Sequence, residues 1–94
     1  MAKDNVIKST VVIPNYNGIS YIKNCLDSLL EEQKNTAFDI IVVDNHSTDG
    51  SLELVQSGYS QVKVIAFEEN TGFCLAVNSG IDGANTEYVL LLNI

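Results

Sequence analysis

The sequence predicts an α/β fold, a Rossmann-like parallel sheet of about four strands with helices on both faces. Short apolar runs rich in β-branched residues alternate along the chain with segments that have apolar residues every three or four positions. The connections between them are short, which favours right-handed crossovers and parallel strands. The run Ile40–Val43 stops abruptly at Asp44 and is typical of a strand buried on both faces. We expect the strand order 3-2-1-4.

The first half of the chain contains two strands and a helix. Val11–Ile13 predicts the first strand, ended by Pro14, because proline lacks a backbone donor and fits the end of a strand better than its middle. After a short turn, apolar residues take helical spacing from Ile19 to Leu30, which predicts the first helix. The second strand is the buried run that ends at Asp44.

The second half repeats the alternation. A short second helix is predicted to stop at Gly58, and partial alternation over 62–67 predicts a third strand near the sheet edge. Asn70 or Thr71 is expected to cap a third helix, whose apolar side is predicted from spacings of four and three at Phe73, Val77, Ile81 and Ala84. The nearly all-apolar segment 87–93 predicts a fourth strand.

In a sheet of this order, ligands bind beyond the carboxyl ends of the strands, at the switch point between strands one and four. A ligand would therefore meet four polar segments, which are 14–17, 44–45, 70–72 and Asn93. Asp, Asn and Ser are also ordinary turn residues, so a strand-to-helix loop without a ligand remains the alternative at this stage.

Charge limits the possible partners. Five lysines and no arginine stand against twelve acidic residues, for a net charge of −7. This balance disfavours nucleic acid and anionic membranes as partners. Arginine is the usual phosphate clamp, so the charge of a phosphorylated ligand would be met by helix N-termini, a divalent metal or residues outside this chain. With no apolar run of membrane-spanning length and no signal peptide, we expect a cytoplasmic protein without a direct membrane segment.

The first turn, Pro14–Gly18, lacks the Gly-x-Gly-x-x-Gly pattern of a dinucleotide site, and no P-loop sequence occurs. Tyr16 can instead stack on a planar base, and a side-chain oxygen of Asp44 or Asn45 can accept a hydrogen bond from a base N–H. That pairing suits a pyrimidine nucleotide. Alternatively, Tyr16 covers the end of the sheet and Asp44 accepts backbone N–H groups.

Four motifs occur in order along the chain, at Val11–Gly18, Ile41–Ser51, Glu69–Phe73 with Ala76–Gly80, and Leu90–Asn93. Together they resemble the family 2 inverting glycosyltransferases of the GT-A fold, of which this chain would be the N-terminal, nucleotide-binding half. The Asn-Thr-Gly-Phe form of the third motif is most similar to the rhamnosyltransferase-like branch, which acts in cell-surface polysaccharide synthesis.

The resemblance implies a set of residues that contact the nucleotide-sugar donor. Four would line the base and ribose pocket, two would lie at the base, and two would border the donor pocket. In that order they are Pro14, Asn15, Tyr16, Asn17, Asp44, Asn45, Gly72 and Asn78. Many relatives carry a second acid where this chain has Asn45, whose amide oxygen is still expected to accept the base N–H.

The resemblance further implies transfer of a sugar, with inversion, from a UDP- or dTDP-sugar to a saccharide or lipid-linked acceptor. Asn93 would begin a motif for Mg²⁺ or Mn²⁺, but the metal-binding Asp and the catalytic base would follow Ile94. Residues 1–94 are therefore expected to be a truncated nucleotide-sugar-binding domain, inactive alone. In such a segment the fourth strand would be an exposed apolar edge, prone to self-association.

Three rival interpretations remain. A nucleotidyltransferase or another α/β nucleotide-binding enzyme predicts a first turn with glycines or basic residues, which this turn lacks. A flavodoxin- or receiver-like signalling domain also has acids at strand ends. A receiver, however, needs a Lys late in the chain and paired acids after its first strand, where this chain has Pro14 and Asn15. A non-catalytic or degenerate transferase domain is the third.

Overall fold

In a computed structural model that describes residues 6–94, four parallel strands and three helices alternate along the chain. They are β1 (Ser9–Asn15), α1 (Ile19–Glu32), β2 (Asp39–Asp44), α2 (Ser51–Gly58), β3 (Lys63–Ala66), α3 (Phe73–Gly83) and β4 (Tyr88–Leu91). The strand order is β3-β2-β1-β4. The fold class and the strand order are confirmed. Within residues 6–94, no helix combines the length and the apolar character needed to cross a membrane.

Helices cover both faces of the sheet because successive strand residues point to opposite sides. Val11 and Ile13 of β1 share one buried core with residues of α1 and α2. Val12 of β1 points to the other side and shares a second core with Ala76 of α3. The central strands β1 and β2 are therefore buried on both faces, as their apolar runs predicted.

Pro14 lies inside β1 and not at its end. The Asn15 carbonyl accepts a hydrogen bond from the backbone N–H of the residue that follows β2. The Val12 carbonyl accepts one from the N–H of Leu92, the residue that follows β4. Backbone polar groups alternate sides along a strand, so the nitrogen of Pro14 faces the side of β4. Pairing between β1 and β4 ends at Val12 and Leu91, because the next bond of the ladder would need an N–H at Pro14 to donate to the Leu92 carbonyl. Pro14 therefore ends the pairing with β4, whereas β1 continues beside β2 to Asn15.

The face of α3 that packs on the sheet differs from the predicted one. Of the predicted residues, Ala84 packs against the second core, but Phe73 and Ile81 are 49% and 46% exposed, whereas Ala76 and Gly80 are buried. A Cβ on Gly80 would lie 2.3 Å from Cγ1 of Val12. The backbone of α3 lies so close to the sheet that only the smallest side chains fit, and the large apolar residues point elsewhere.

The start of α3 also differs from the prediction. Gly72, with a φ of 91°, is the N-cap residue, and no side chain caps the helix. Asn70 instead accepts a hydrogen bond from the Gly72 N–H at 2.9 Å. The Thr71 N–H donates a hydrogen bond to Asn45 Oδ1, and Thr71 does not cap the helix.

The strand β4 forms one edge of the sheet, because it pairs with β1 alone among the described strands. Its four side chains, Tyr88 to Leu91, are between 38% and 61% exposed. An apolar edge of this kind presents unpaired backbone groups beside uncovered side chains.

Candidate nucleotide site

A cavity of about 430 Å³ opens at the carboxyl ends of the strands. Its walls come from the turn after β1, the residue after β2, the loop before α3 and the segment after β4. Six of the eight predicted donor-site residues line it, namely Pro14, Asn15, Tyr16, Asn17, Asn45 and Gly72. Asn70 and Asn93, expected from the switch-point argument, also line it. A volume of this size is typical of small-molecule sites.

Two of the predicted residues do not line the cavity. Asp44, the last residue of β2, is fully buried. Asn78 lies on the exposed side of α3. The residue that faces the cavity at the end of β2 is thus Asn45, one position beyond the acid.

Asp44 lies at the centre of a buried polar network. Its Oδ1 accepts hydrogen bonds from Asn15 Nδ2 at 2.9 Å and from Ser47 Oγ at 2.7 Å, and its Oδ2 accepts one from the Ser47 N–H at 2.9 Å. The register of the sheet brings this about, because Asn15 and Asp44 are paired across β1 and β2. Buried polar groups must be hydrogen-bonded, and these bonds fix the end of β1 to the loop after β2.

Asn15 joins that network to the cavity. Its amide nitrogen also donates to Ser51 Oγ at 2.9 Å, at the first residue of α2. Its Oδ1 is buried without a hydrogen-bond partner among the described residues. A Cβ on Gly18 would lie 2.3 Å from this oxygen, so only glycine fits at that position of the turn.

The turn after β1 is held from a second side. The Asn17 N–H donates to Ser47 Oγ at 2.9 Å, and Asn17 Oδ1 accepts from the Thr48 N–H at 2.8 Å. Asn17 has a φ of 53°, a left-handed conformation that asparagine tolerates better than most residues. Tyr16 lies between Asn15 and Asn17, so hydrogen bonds to the neighbouring loop fix the backbone of the turn that contains it.

Asp49 links the starts of α1 and α2. Its Oδ2 accepts from the Ile19 N–H at 2.9 Å, and its Oδ1 accepts from the Ser51 N–H at 2.9 Å and from Ser51 Oγ at 2.6 Å. Partial burial raises the pKa of this carboxyl group, but the hydrogen bonds from Ser51 and Ile19 outweigh it and hold the pKa below its ordinary value. The carboxylate thus satisfies backbone donors that helix starts leave unpaired.

The cavity lining carries no charged side chain. Tyr16, Tyr21 and Phe73 contribute aromatic rings, and five asparagines contribute amides. Rings that stack and amides that both donate and accept suit a nucleoside, whose base is flat and has polar edges. These uncharged rings and amides do not neutralise the negative charge of a diphosphate. Residues 6–94 contain no group of three or more His, Cys, Asp or Glu side chains that could hold a metal ion.

The donor contacts inferred from the sequence left out Gly18, Tyr21, Phe73, Ala76 and Ile94, which also line the cavity. Tyr21 lies in the first turn of α1 and Phe73 is the first residue of α3. Their positions directly after the two polar turns could have indicated from the sequence that they line the cavity. Ser47, Asp49 and Ser51 cannot be told from ordinary turn residues in the sequence. Their bonds to β1 depend on the fold.

An α/β domain with a nucleoside-sized cavity at the switch point of its sheet belongs to the broad class of nucleotide-binding folds. The comparisons with known proteins are more specific. The model of glycosyl transferase family 2 matches residues 10–93, and the chain belongs to this family.

Related proteins agree with that assignment. The putative teichuronic acid biosynthesis glycosyltransferase TuaG of Bacillus subtilis is 32% identical over 87 residues, which are 89% of this chain and 34% of TuaG. The crystal structure of Staphylococcus aureus TarS 1-349 in complex with UDP has a TM-score of 0.82 at 33% identity, over 93% of this chain and 27% of that one.

A second similar structure comes from Pyrobaculum calidifontis. The mannosyltransferase PcManGT from Pyrobaculum calidifontis, in complex with GDP-Man and Mn²⁺, has a TM-score of 0.81 at 26% identity, over 98% of this chain and 29% of that one. The chain thus spans about a third or less of the length of these relatives.

Proposed function

We propose that this chain is the nucleotide-binding part of a glycosyltransferase that takes a sugar from a UDP- or dTDP-sugar and transfers it, with inversion, to a saccharide or lipid-linked acceptor. The observation that carries the proposal is the uncharged, ring- and amide-lined cavity between the Tyr16 turn and Asn45. The similarity to TarS, crystallised with UDP, supports a nucleotide in this position. The similarity to TuaG supports a place in cell-surface polysaccharide synthesis.

Each lining residue has a proposed role. Tyr16 stacks on the base, and Asn45 contacts its polar edge. Pro14, Asn15 and Asn17 shape the wall beside the base and ribose, and Gly72 forms the opposite rim. For Asp44 we propose an indirect role, since its oxygens are bonded to Asn15 and Ser47 below the cavity. Asn78 lies outside the cavity, which leaves its proposed donor contact without support from this geometry.

The charge of the donor requires groups beyond the cavity lining. A divalent cation does not fit the described residues, because they form no acidic or histidine cluster of the required size. Mg²⁺ or Mn²⁺ in a longer protein stays a proposal, supported by the Mn²⁺ complex of the mannosyltransferase.

Several finer features belong to the same proposal. We expect residues 1–94 alone to be inactive, since they supply no proposed metal ligand set and no proposed catalytic base. A cytoplasmic location and the rhamnosyltransferase-like branch stay predictions. Neither the name of TuaG nor that of TarS refers to a rhamnosyltransferase, and the name of TuaG refers to teichuronic acid instead.

Calorimetric titration with UDP, dTDP and GDP, with and without Mn²⁺, tests the proposal. We expect UDP to bind, and the Tyr16→Ala variant to bind it about fivefold or more weakly, because stacking of a base on an aromatic ring contributes about 1–3 kcal/mol. Tyr88→Ala is the matched control, since Tyr88 is a similarly exposed tyrosine on β4 away from the cavity. Binding of no nucleotide, or equal losses in both variants, would contradict the proposal.

We also propose that the chain self-associates through β4. The support is the exposed apolar edge of Tyr88 to Leu91, which has no neighbour on its outer side among the described strands. Sedimentation velocity over a wide concentration range should show dimers or larger species, and Leu90→Lys should reduce them, since charges on edge strands discourage pairing. A monomer at all concentrations would refute this part alone.

The alternative function is a non-catalytic or degenerate transferase domain that binds nucleotide. The uncharged cavity fits that function equally well. The two are separated by an assay of sugar transfer from a labelled UDP-sugar by the longest natural form of the protein, in the presence of Mn²⁺. Release of UDP that depends on an acceptor saccharide would exclude the non-catalytic alternative.

A further inference from the structure

The side chain of Asn45 holds the loop before α3 through both ends of its amide. Its Oδ1 accepts hydrogen bonds from the Thr71 N–H at 2.7 Å and from Thr71 Oγ1 at 3.2 Å. Its Nδ2 donates to the Gly72 carbonyl at 3.0 Å. This direction is fixed, because the reversed amide would set its N–H groups against the Thr71 N–H and its oxygen against the Gly72 carbonyl.

The three bonds decide what Asn45 can offer to a ligand. An amide oxygen has two lone pairs, and both are taken by Thr71. The amide nitrogen has two hydrogens, and the described residues supply an acceptor for only one of them. Asn45 lines the cavity and is 5% exposed. The free polar group at this point of the wall is therefore an N–H donor, whereas the sequence led us to expect an acceptor.

From this we propose that Asn45 is a specificity-determining residue that relaxes the choice of pyrimidine, so that the site takes cytidine as well as uridine diphosphates. Both bases present acceptors to an N–H donor, at O2 and O4 in uracil and at O2 and N3 in cytosine. They differ at N3 and at C4, where uracil carries an N3–H and a carbonyl oxygen and cytosine carries a lone pair and an amino group. The N3–H of uracil needs an acceptor, but both lone pairs of the Asn45 oxygen are occupied by Thr71, and an N–H donor directed at O2 meets the same acceptor in both bases. The inference rests on the proposed nucleotide site and names the ligands that the site accepts.

A carboxylate at position 45 would have the opposite effect. It can only accept, so it would pair with the N3–H of uracil, whereas in cytosine it would face the N3 and O2 lone pairs and could accept only from the amino group at C4. A site that leaves a polar group of the wrong ligand unpaired discriminates strongly against that ligand.

Competitive titration of UDP and CDP against the purified protein, its Asn45→Asp variant and its Thr71→Val variant tests the proposal. The wild type is expected to bind the two nucleotides within about threefold of each other, and Asn45→Asp to prefer UDP by about tenfold or more. Thr71→Val has nearly the same shape but lacks Oγ1, so it frees one lone pair on Asn45 and should shift the preference toward UDP by a few fold. Asn85→Asp, at the opposite end of the sheet, controls for the added charge.

The outcomes separate the two levels of the proposal. A wild type that binds UDP but rejects CDP by tenfold or more overturns the role of Asn45 and leaves the nucleotide site intact. A ratio that stays at the wild-type value in Thr71→Val, and in Asn45→Asp if that variant folds, also overturns it. A wild type that binds neither nucleotide contradicts the proposed function itself. Circular dichroism of each variant shows whether it is folded, and Thr71→Val keeps the test valid if Asn45→Asp is not.

Discussion

Replacing Asp44 with alanine should destabilise the whole chain, although this residue looks like a ligand contact in the sequence. Its carboxyl group is fully buried and accepts three hydrogen bonds, one from Asn15 and two from Ser47. Asp44→Ala removes the common acceptor and leaves a space that the fixed ends of β1 and β2 cannot close. The donors that remain are buried or half-buried.

The magnitude follows from those three bonds. At about 1–1.5 kcal/mol for each intramolecular hydrogen bond, the loss of all three lowers the free energy of unfolding by about 3–4 kcal/mol. Asn15 keeps its bond to Ser51, which limits the loss at that donor. For a domain of this length, about 1 kcal/mol corresponds to roughly 4–8 °C in the melting temperature, so we expect a decrease of about 12 °C or more.

Urea unfolding followed by circular dichroism measures this change. Asp39→Ala is the matched control, because Asp39 is the exposed acid at the other end of the same strand. It should change the free energy of unfolding by about 0.5 kcal/mol or less. If Asp44→Ala is no more destabilising than Asp39→Ala but abolishes UDP binding, Asp44 is a direct ligand contact and the buried-network interpretation is wrong.

Two further predictions concern packing and pH. Gly80→Ala should lower the free energy of unfolding by about 1–3 kcal/mol because its Cβ would overlap a β1 valine, whereas Gly58→Ala, with open space around it, should be neutral or slightly stabilising in the same urea experiment. Hydrogen bonds from Lys23 and, to a lesser extent, from Tyr59 hold the pKa of Asp27 below its ordinary value of 3.8. The stability that this group contributes is therefore present above pH 3.8 and is lost as the pH falls through the lower folded-state pKa. Thermal unfolding of Asp27→Asn from pH 6 down to 2 should show a shallower decline than the wild type, and parallel curves would contradict it.

The sheet was the most predictable part of the structure. Ile40–Val43 is apolar at every position and ends at an acid, a pattern that a surface strand or a helix seldom shows. Short connections then leave few ways to arrange the strands, which is why the order 3-2-1-4 follows from the chain. Pro14 was expected to end the strand, but its missing N–H ends only the pairing with β4, and β1 continues for one more residue beside β2.

The packing of α3 was predicted wrongly for a physical reason. Apolar spacing assumes that the largest side chains are buried, but Gly80 lets the helix come too close to Val12 for that. The candidate site shows a related limit. Asp44 and Asn45 are neighbours of similar shape, and only the tertiary bonds show that Asp44 lies below the cavity while Asn45 faces it. Whether the side-chain oxygen of Asn45 has a free lone pair depends on Thr71, which is 26 residues away and occupies both.

The bonds that build the site join residues far apart in the chain. Asn15 can form its hydrogen bonds only after Asp44, 29 positions later, and Ser51, 36 positions later, have been synthesised. Asn45 likewise requires Thr71. A nascent chain leaving the ribosome therefore cannot complete the walls of this cavity until the segment after β4, with Asn93 and Ile94, has emerged. Until then the polar ends of the first two strands are hydrated by water.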